Sequence, residues 1–556
     1  LKLHLRYSAA ILWFRSNRLA HDLPLYQHRQ TPRTSRSATV AARMSAFFAS
    51  IVRVHMLKKS KFAAGVILFS STITILGTAI EANAQTTDPH GWAGTGSITS
   101  RYGNLDFVGG YPTADTGRKL DELLIVNRAI EAYLTQMPTV SWYRVWKGVA
   151  EAGPATPNQM VVWESLMNAQ TLLLTGNTET VYAMSALDLK RDGPTVVEAP
   201  PMLLGGVSDL RQSELVGIGP TGADKGKGGK FLFLPPGYTG TVPKGYIVAR
   251  SPTYKAVFGV RGFLVDGKPD KAVALMKSTK IYPLAQAAKP PRTTFVDGST
   301  SPVDTVFDDN YQYFDDLANI IASEPAGIIS SSDRFTLASI GIANGTPFSP
   351  DANRKALLGE AARLGGAIAR ENTYASSDPA RLVYPDRRWE LLFVGGSATW
   401  DSQGYLNTDR RAGFAYAAIG MSPAMVDKVV GKGSQYIWTP RDSNGAWLDG
   451  AKSYRLHLPP DIPVKNFWSV VVYDAQSRSM LQNGEKFPSI SQYTNPVINA
   501  DRSVDIYFGP AAPKEQHVNW IRTVPGKGWF PIIRFYGPSQ AFFDKTWQPD
   551  DIVPAQ

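Results

Sequence analysis

"SYRLHLPP", residues 453–460, sets Tyr454, Leu456 and Leu458 against Arg455 and His457 in strict alternation. Successive side chains leave a β-strand on opposite sides, so a period of two marks a strand with one buried face. Around it, "WELLFVGG" (389–396), "NFWSVVVYDA" (466–475), "SVDIYFGP" (503–510) and "WFPIIRFYGP" (529–538) are apolar runs of strand length. The chain from about Arg388 onward therefore reads as β structure. The same grammar appears upstream in "TVYAMSALDL" (180–189), "PTVVEAP" (194–200), "KFLFLPPGY" (230–238), "GYIVARSP" (245–252) and "AVFGVRGFLV" (256–265). Gly and Pro punctuate these runs, as expected of short strands in a sandwich or barrel-like domain.

Two regions between and before the strands carry a helical period instead. In "VFDDNYQYFDDLANIIASEP" (306–325), Phe307, Tyr311, Phe314, Leu317, Ala318 and Ile321 share one helical face, and "PDANRKALLGEAARLGGAIAREN" (350–372) reads as a second helix. Together they predict a small helical domain over residues 303–375. "DELLIVNRAIEAYLTQMPTVSWYRVWKGV" (121–149) spaces Leu123, Val126, Ile130, Tyr133 and Leu134 by threes and fours, and Pro138 is expected to end that helix.

"MLKKSKFAAGVILFSSTITILGTAIEANA" (56–84) has the basic start, apolar middle and Ala-x-Ala ending of a secretory signal peptide. Cleavage would leave Gln85 as the mature start and no stable membrane span, which points to a periplasmic or secreted protein. An uncleaved anchor is the alternative, since a span needs roughly 20 apolar residues. Residues 1–55, which show no sustained periodicity, are expected to be an upstream extension ahead of a true start at Met56.

The apparent net charge of +11 depends on this leader. Residues 1–84 hold 12 of the 58 Lys and Arg but two of the 47 Asp and Glu, so the remainder carries +1. A near-neutral chain with no basic stripe gives no electrostatic case for nucleic acid. With no Cys, disulfides, thiolate-held metals and a thiol nucleophile are excluded.

Few motifs carry chemistry. "GIGPTG" (217–222) has dinucleotide-type spacing, but Pro220 and "ADKGKGGK" cannot open the helix such a site requires, and "KGKGGK" lacks the Ser or Thr of a phosphate loop. The acids of "DDNYQYFDD" (Asp308, Asp309, Asp315, Asp316) do not have calcium-loop spacing, and a helix start explains them. After the leader the His residues are His90, His457 and His517; His457, opposite the apolar face of its strand, could line a cleft or be a hydrogen-bonded structural imidazole. A polar and aromatic set remains: Asn177, Glu179 and Tyr182 in "GNTETVYA", with Trp468, Arg534 and Tyr536 near the C-terminus. Such side chains suit a planar ligand or sugar and equally suit a Trp-rich core or subunit interface. With no H-E-x-x-H, a zinc site would have to be assembled from distant residues and carboxylates, and these residues name neither a cofactor nor a metal.

The segments 111–138, 176–201, 222–238 and 245–254, among them "GNTETVYAMSALDLKRDGPTVVEAPP", resemble the first half of bacterial proteins that pair two domains of unknown function, 1254 and 1214. "LDGAKSYRLHLPPDIPVKNFWSVVVYDAQSRSMLQN" (448–483) and "NWIRTVPGKGWFPIIRFYGPSQAFFDKTWQP" (519–549) resemble the second. The resemblance implies a mainly β, multidomain protein: an immunoglobulin-like β-sandwich over residues 85–302, the helical domain over 303–375, and a jelly-roll-like β-sandwich over 376–556. It also implies homo-oligomers. It supplies no reaction, and Glu179 stands where the family pattern has Asp.

Two functions are expected from these residues. In the first, an exported hydrolase works in a cleft between the β domains, with Glu179 as acid/base or weak metal ligand, His457 as base, and Asn177 and Arg534 orienting substrate. In the second, a non-catalytic envelope protein binds a glycan or small molecule through Trp468, Tyr473, Tyr182 and Tyr536, or builds an oligomer.

Overall fold

The computed structural model describes residues 96–153, 156–514 and 518–555; the leader, His90 and His517 lie outside them. A small antiparallel sheet of β1 (Ser97–Ser100), β2 (Gly103–Val108) and β3 (Tyr111–Pro112) leads into the long helix α1 (Ala114–Glu151). The first β region then runs β4 (Gln159–Val162), β5 (Thr180–Asp188), α2 (Leu189–Asp192), β6 (Thr195–Ala199), β7 (Leu204–Asp209) and β8 (Glu214–Ile218). It continues with β9 (Gly229–Leu234), β10 (Ile247–Arg250), β11 (Lys255–Phe263), α3 (Asp270–Met276), β12 (Lys280–Pro283) and β13 (Thr294–Asp297). Helices α4 (Gln312–Ser323), α5 (Ser331–Ser339) and α6 (Ala352–Tyr374) follow. The second β region comprises β14 (Glu390–Leu391), β15 (Asp401–Ser402), β16 (Tyr405–Leu406), α7 (Thr408–Ala417), β17 (Ser434–Trp438), β18 (Tyr454–Leu458) and β19 (Val464–Asp474). It closes with β20 (Ser489–Ser491), β21 (Val504–Gly509), β22 (Asn519–Arg522), β23 (Trp529–Pro538), α8 (Gln540–Phe543) and β24 (Val553–Pro554).

Each β region is a pair of facing sheets. In the first, a six-stranded sheet, β13-β4-β5-β11-β7-β8, lies over a four-stranded one, β10-β9-β6-β12. Val181, Ala183, Phe258 and Val260 of the larger sheet meet Val197, Phe231, Phe233 and Ile281 of the smaller in one apolar layer. In the second, β14-β17-β23-β19-β20 lies over β22-β21-β18-β24, with Trp468, Val470, Ile533 and Phe535 against Leu456, Leu458, Val504 and Ile506. The protein is thus mainly β with several sheets, with eight helices among the described residues.

Neither large sheet turns its other face to water. Met184 and Val257 from the first, and Val471, Tyr473, Phe530 and Ile532 from the second, join side chains of α1, α4, α6 and α7 in a third apolar layer. Side-chain alternation makes this possible: when both faces are buried, a strand reads as the near-continuous apolar run seen in β19 and β23.

Helix α1 corrects one expectation, because it does not stop at Pro138 but continues to Glu151. Proline inside a helix costs about 3 kcal/mol. Here Met137, Val140, Val145 and Val149 are each at most 1 % exposed beyond or beside it, and burying such a side chain is worth roughly 1.5–3 kcal/mol apiece. Gln212 Nε2 also donates to the Pro138 carbonyl at 2.9 Å, tying this turn of the helix to the first β region. No helix among the described residues is long and apolar enough to cross a membrane.

Candidate functional site

The outer faces of the two large sheets present two rows of polar side chains to each other. On the first sheet Tyr182 of β5 pairs directly across from Arg261 of β11. On the second, Tyr436 of β17 and Ser469 of β19 flank Arg534 of β23 in register. The rows meet where the Arg261 guanidinium lies 5.9 Å from the centre of the Tyr536 ring and Phe263 packs edge-on against Phe467 and Tyr536.

Between the rows is a cavity of about 150 Å³. Tyr182, Arg261, Tyr436 and Arg534 line its polar end, while Trp142, Leu174, Met184, Val257, Met421 and Met425 supply apolar walls. Its floor includes Gly259, in the middle of β11 and opposite Met184. A Cβ added at Gly259 would meet nothing within 4 Å, whereas one at the neighbouring Gly205 would lie 2.2 Å from the Gly259 carbonyl oxygen. Glycine inside a strand weakens it and leaves no side chain to pack, so the space over Gly259 stays open.

The segment Thr175–Glu179 fastens the two β regions together beside this cavity. Arg534 Nη2 donates to the Thr175 carbonyl at 2.7 Å, and Nη1 donates to the Tyr473 hydroxyl. Tyr473 Oη in turn donates to the Gly176 carbonyl at 2.6 Å. Asn177 Nδ2 reaches both Thr180 Oγ1, at 3.2 Å, and Tyr536 Oη, at 2.5 Å. Thr175 adopts φ 47°, left-handed backbone that a β-branched residue rarely takes and that costs on the order of 1–3 kcal/mol. The carbonyls it presents to Arg534 and Tyr473 are what hold it there.

Glu179 sits behind this clamp at 3 % exposure. Burial lifts its carboxyl above the ordinary value, against the pull of the Thr178 hydroxyl, Arg534 and the Ser489 and Ser469 hydroxyls. Thr178 Oγ1 donates to Oε1, but neither Oε2 nor the buried Ser469 hydroxyl has a hydrogen-bonded partner among the described residues. At the cavity, burial tends to raise the Tyr436 phenol, but Arg261, Ser434 and Arg534 outweigh it and bring Tyr436 below its usual value. Tyr473 is held high, chiefly by burial.

The structure thus gathers Asn177, Glu179, Tyr182, Arg534 and Tyr536 at one seam. It does not bring His457 or Trp468 there. His457 lies on β18, in the far sheet of the second region, on the face opposite Leu456 and Leu458; its Nδ1 is 2.9 Å from Asp505 Oδ1. Asp505 also takes Asn499 Nδ2 at 2.8 Å, so this is a cross-strand polar cluster with a whole pair of sheets between it and Glu179. The expected pairing of Glu179 with His457 is accordingly corrected. Trp468 is corrected likewise: its neighbour Ser469 faces the seam, so Trp468 must face the inner layer with Ile533 and Phe535. The acids of the 308–316 stretch serve packing, Asp309 accepting from Tyr133 Oη at 2.6 Å and Asp316 lying 3.4 Å from Arg144. No group of three or more His, Cys, Asp or Glu among the described residues could hold a metal ion.

Arg261, Tyr436 and Gly259 were not singled out from sequence. The available signal was a charge in the apolar run "AVFGVRGFLV", where Arg261 shares its face with Gly259 and Val257 rather than with Phe258 and Val260.

No curated protein matches the chain. A crystal structure of a protein from Vibrio parahaemolyticus is similar at 19% identity and TM-score 0.47, covering 78% of this chain and 100% of that one. Another, of a protein from Burkholderia cenocepacia, is similar at 12% identity and TM-score 0.36, covering 79% and 96%. Family models match in two places, each described as a protein of unknown function: DUF1254 over residues 157–283 and DUF1214 over residues 433–540. Tyr182, Gly259 and Arg261 fall in the first match, and Tyr436, Ser469, Tyr473, Arg534 and Tyr536 in the second, so the seam joins the two. The DUF1254 match precedes the DUF1214 match along the chain, and residues of both matched stretches line the polar end of the cavity.

Proposed function

We propose that this is an exported protein that binds a small molecule in the cavity between its two β domains. The observation that carries the reading is Gly259: a glycine in mid-strand, in a central position of a six-stranded sheet, with open space where a side chain would stand. A strand built only for stability would fill that position with a β-branched or aromatic residue. A concave site with apolar walls and a few convergent polar groups is the form small-molecule sites take. The basic, apolar and Ala-x-Ala segments of residues 56–84 support export. An immunoglobulin-like first domain over 85–302 and a jelly-roll-like last domain over 376–556, separated by helices, belong to the same reading. It is supported by the paired sheets and by the order of the two matches.

Hydrolysis is less well supported. It needs Glu179 and His457 on one substrate, and they lie on opposite sides of the second pair of sheets.

Thermal-shift screening of the full chain against a small-molecule library, with Gly259→Val in parallel, tests the binding reading. Valine fills the cavity floor, so compounds that raise the Tm of the natural chain should leave the variant unmoved. Equal shifts in both proteins would place binding elsewhere and remove the reading.

A further inference from the structure

We infer that the occupant of this cavity is a small monocarboxylate with an apolar body, its carboxylate held by Arg261; this rests on the binding reading above. Two guanidinium groups border one end of the cavity, and they are not equivalent. Arg534, 4 % exposed, spends its donors on the Thr175 and Gly176 carbonyls and the Tyr473 hydroxyl, so it is a fastening between domains. Arg261 is less committed: it shares a hydrogen bond with the Tyr436 hydroxyl and lies against the phenol rings of Tyr182 and Tyr536, and no ion pair among the described residues includes it. An arginine keeps its charge under any ordinary condition and offers a planar fork matched to a carboxylate. Half-buried and without an ion-pair partner, such a cation is placed to take an anion from the cavity.

The protein does not supply that anion. Glu179 stands on the Arg534 side, behind the Thr175–Glu179 segment, with Thr178 on its Oε1. Glu214 lines the cavity too, but from β8, two strands away from the β11 that carries Arg261, with its carboxylate beside Gly217 and no ion pair to Arg261. Glu214 would repel a second negative group, so the arrangement admits one carboxylate and fixes which way it points.

Size and walls narrow the class further. About 150 Å³ is the scale of a six-membered ring, the size of cavity that takes up benzene when lined by hydrocarbon. Trp142, Met184, Val257 and Met421 line the part away from Arg261. An aromatic or branched monocarboxylate of benzoate size fits both features, and inorganic phosphate or a sugar fits neither.

Isothermal titration of the full chain with benzoate, benzyl alcohol and inorganic phosphate is the test, using the natural protein, Arg261→Met and Gly259→Val. Benzoate is expected to bind the natural protein at least about tenfold more tightly than benzyl alcohol, the margin expected of a charge-assisted contact. Arg261→Met, which keeps the apolar stem, should erase that margin, and Gly259→Val should abolish binding of both ring compounds. Benzyl alcohol binding as tightly as benzoate to the natural protein overturns the carboxylate while leaving the cavity reading standing, and this comparison needs no variant to fold. Benzoate failing to bind, or phosphate binding as well as benzoate, overturns the proposal. Benzoate binding undiminished in Gly259→Val overturns the cavity reading itself.

Discussion

The two faces of the β14-β17-β23-β19-β20 sheet are equally buried but chemically unlike. The inner face, toward β18 and β21, is hydrocarbon and indole: Trp468, Val470, Val472, Ile533 and Phe535. The outer face alternates with it residue by residue and carries Ser469, Tyr473, Tyr436, Arg534 and Tyr536, every one hidden from solvent. Water cannot be what these polar groups are for. On the inner face specificity comes from packing alone, whereas on the outer face Arg534, Tyr473 and Tyr536 hydrogen-bond to Thr175, Gly176 and Asn177 of the first β region.

The comparison can be broken most severely from the inner face. Phe535→Ala, which removes a ring packed on Phe542 and Trp547, should cost about 3–5 kcal/mol in urea unfolding without changing ligand binding in any refolded fraction. On the outer face, Arg534→Met leaves the Thr175 carbonyl and the Tyr473 hydroxyl without their charged partner. A loss of about 2–3 kcal/mol is expected, the range for a charged hydrogen bond, and limited proteolysis between the two β domains should speed up.

A smaller effect is expected from Glu179, and it depends on pH. Burial raises its carboxyl in the folded chain, so between the ordinary carboxylate value, about 4.3, and its own higher value the folded state holds more protons than the unfolded one. Stability from this group is therefore present at low pH and is lost as pH rises through that window. Glu179→Gln should raise the Tm at pH 7 to 8, with the gain shrinking to nothing below about pH 4. A gain independent of pH would mean the carboxyl is not held high. The smallest effect belongs to His457→Gln on the far sheet: under about 1 kcal/mol, as for a partly exposed polar pair, and no change in ligand binding. Loss of binding in that variant would reconnect His457 to the seam.

Much of the outer face was legible residue by residue. Asn177, Tyr182, Arg534 and Tyr536 stood out as polar groups among apolar runs, and all four are at the seam. Trp468 was drawn in by its chemistry, but it is one residue from Ser469, and a shift of one residue moves a strand side chain to the other face. Arg261 was passed over because a lone Arg in a strand ordinarily points to water. Pro138 was read by its local preference, which the packing of α1 against α6 and β5 overrode.

The sequence by itself determined that this chain is mainly β with helices between, that two of its stretches resemble DUF1254 and DUF1214 in that order, and which side chains in each strand share a face. Those follow from composition, resemblance and the period of two, all of which are local. Only the tertiary structure decided that the outer faces of two sheets meet each other rather than solvent, that Arg261 and Arg534 border one cavity, and that His457 does not. Alternation says which way a side chain leaves its strand, but what lies on that side is set by packing between segments hundreds of residues apart.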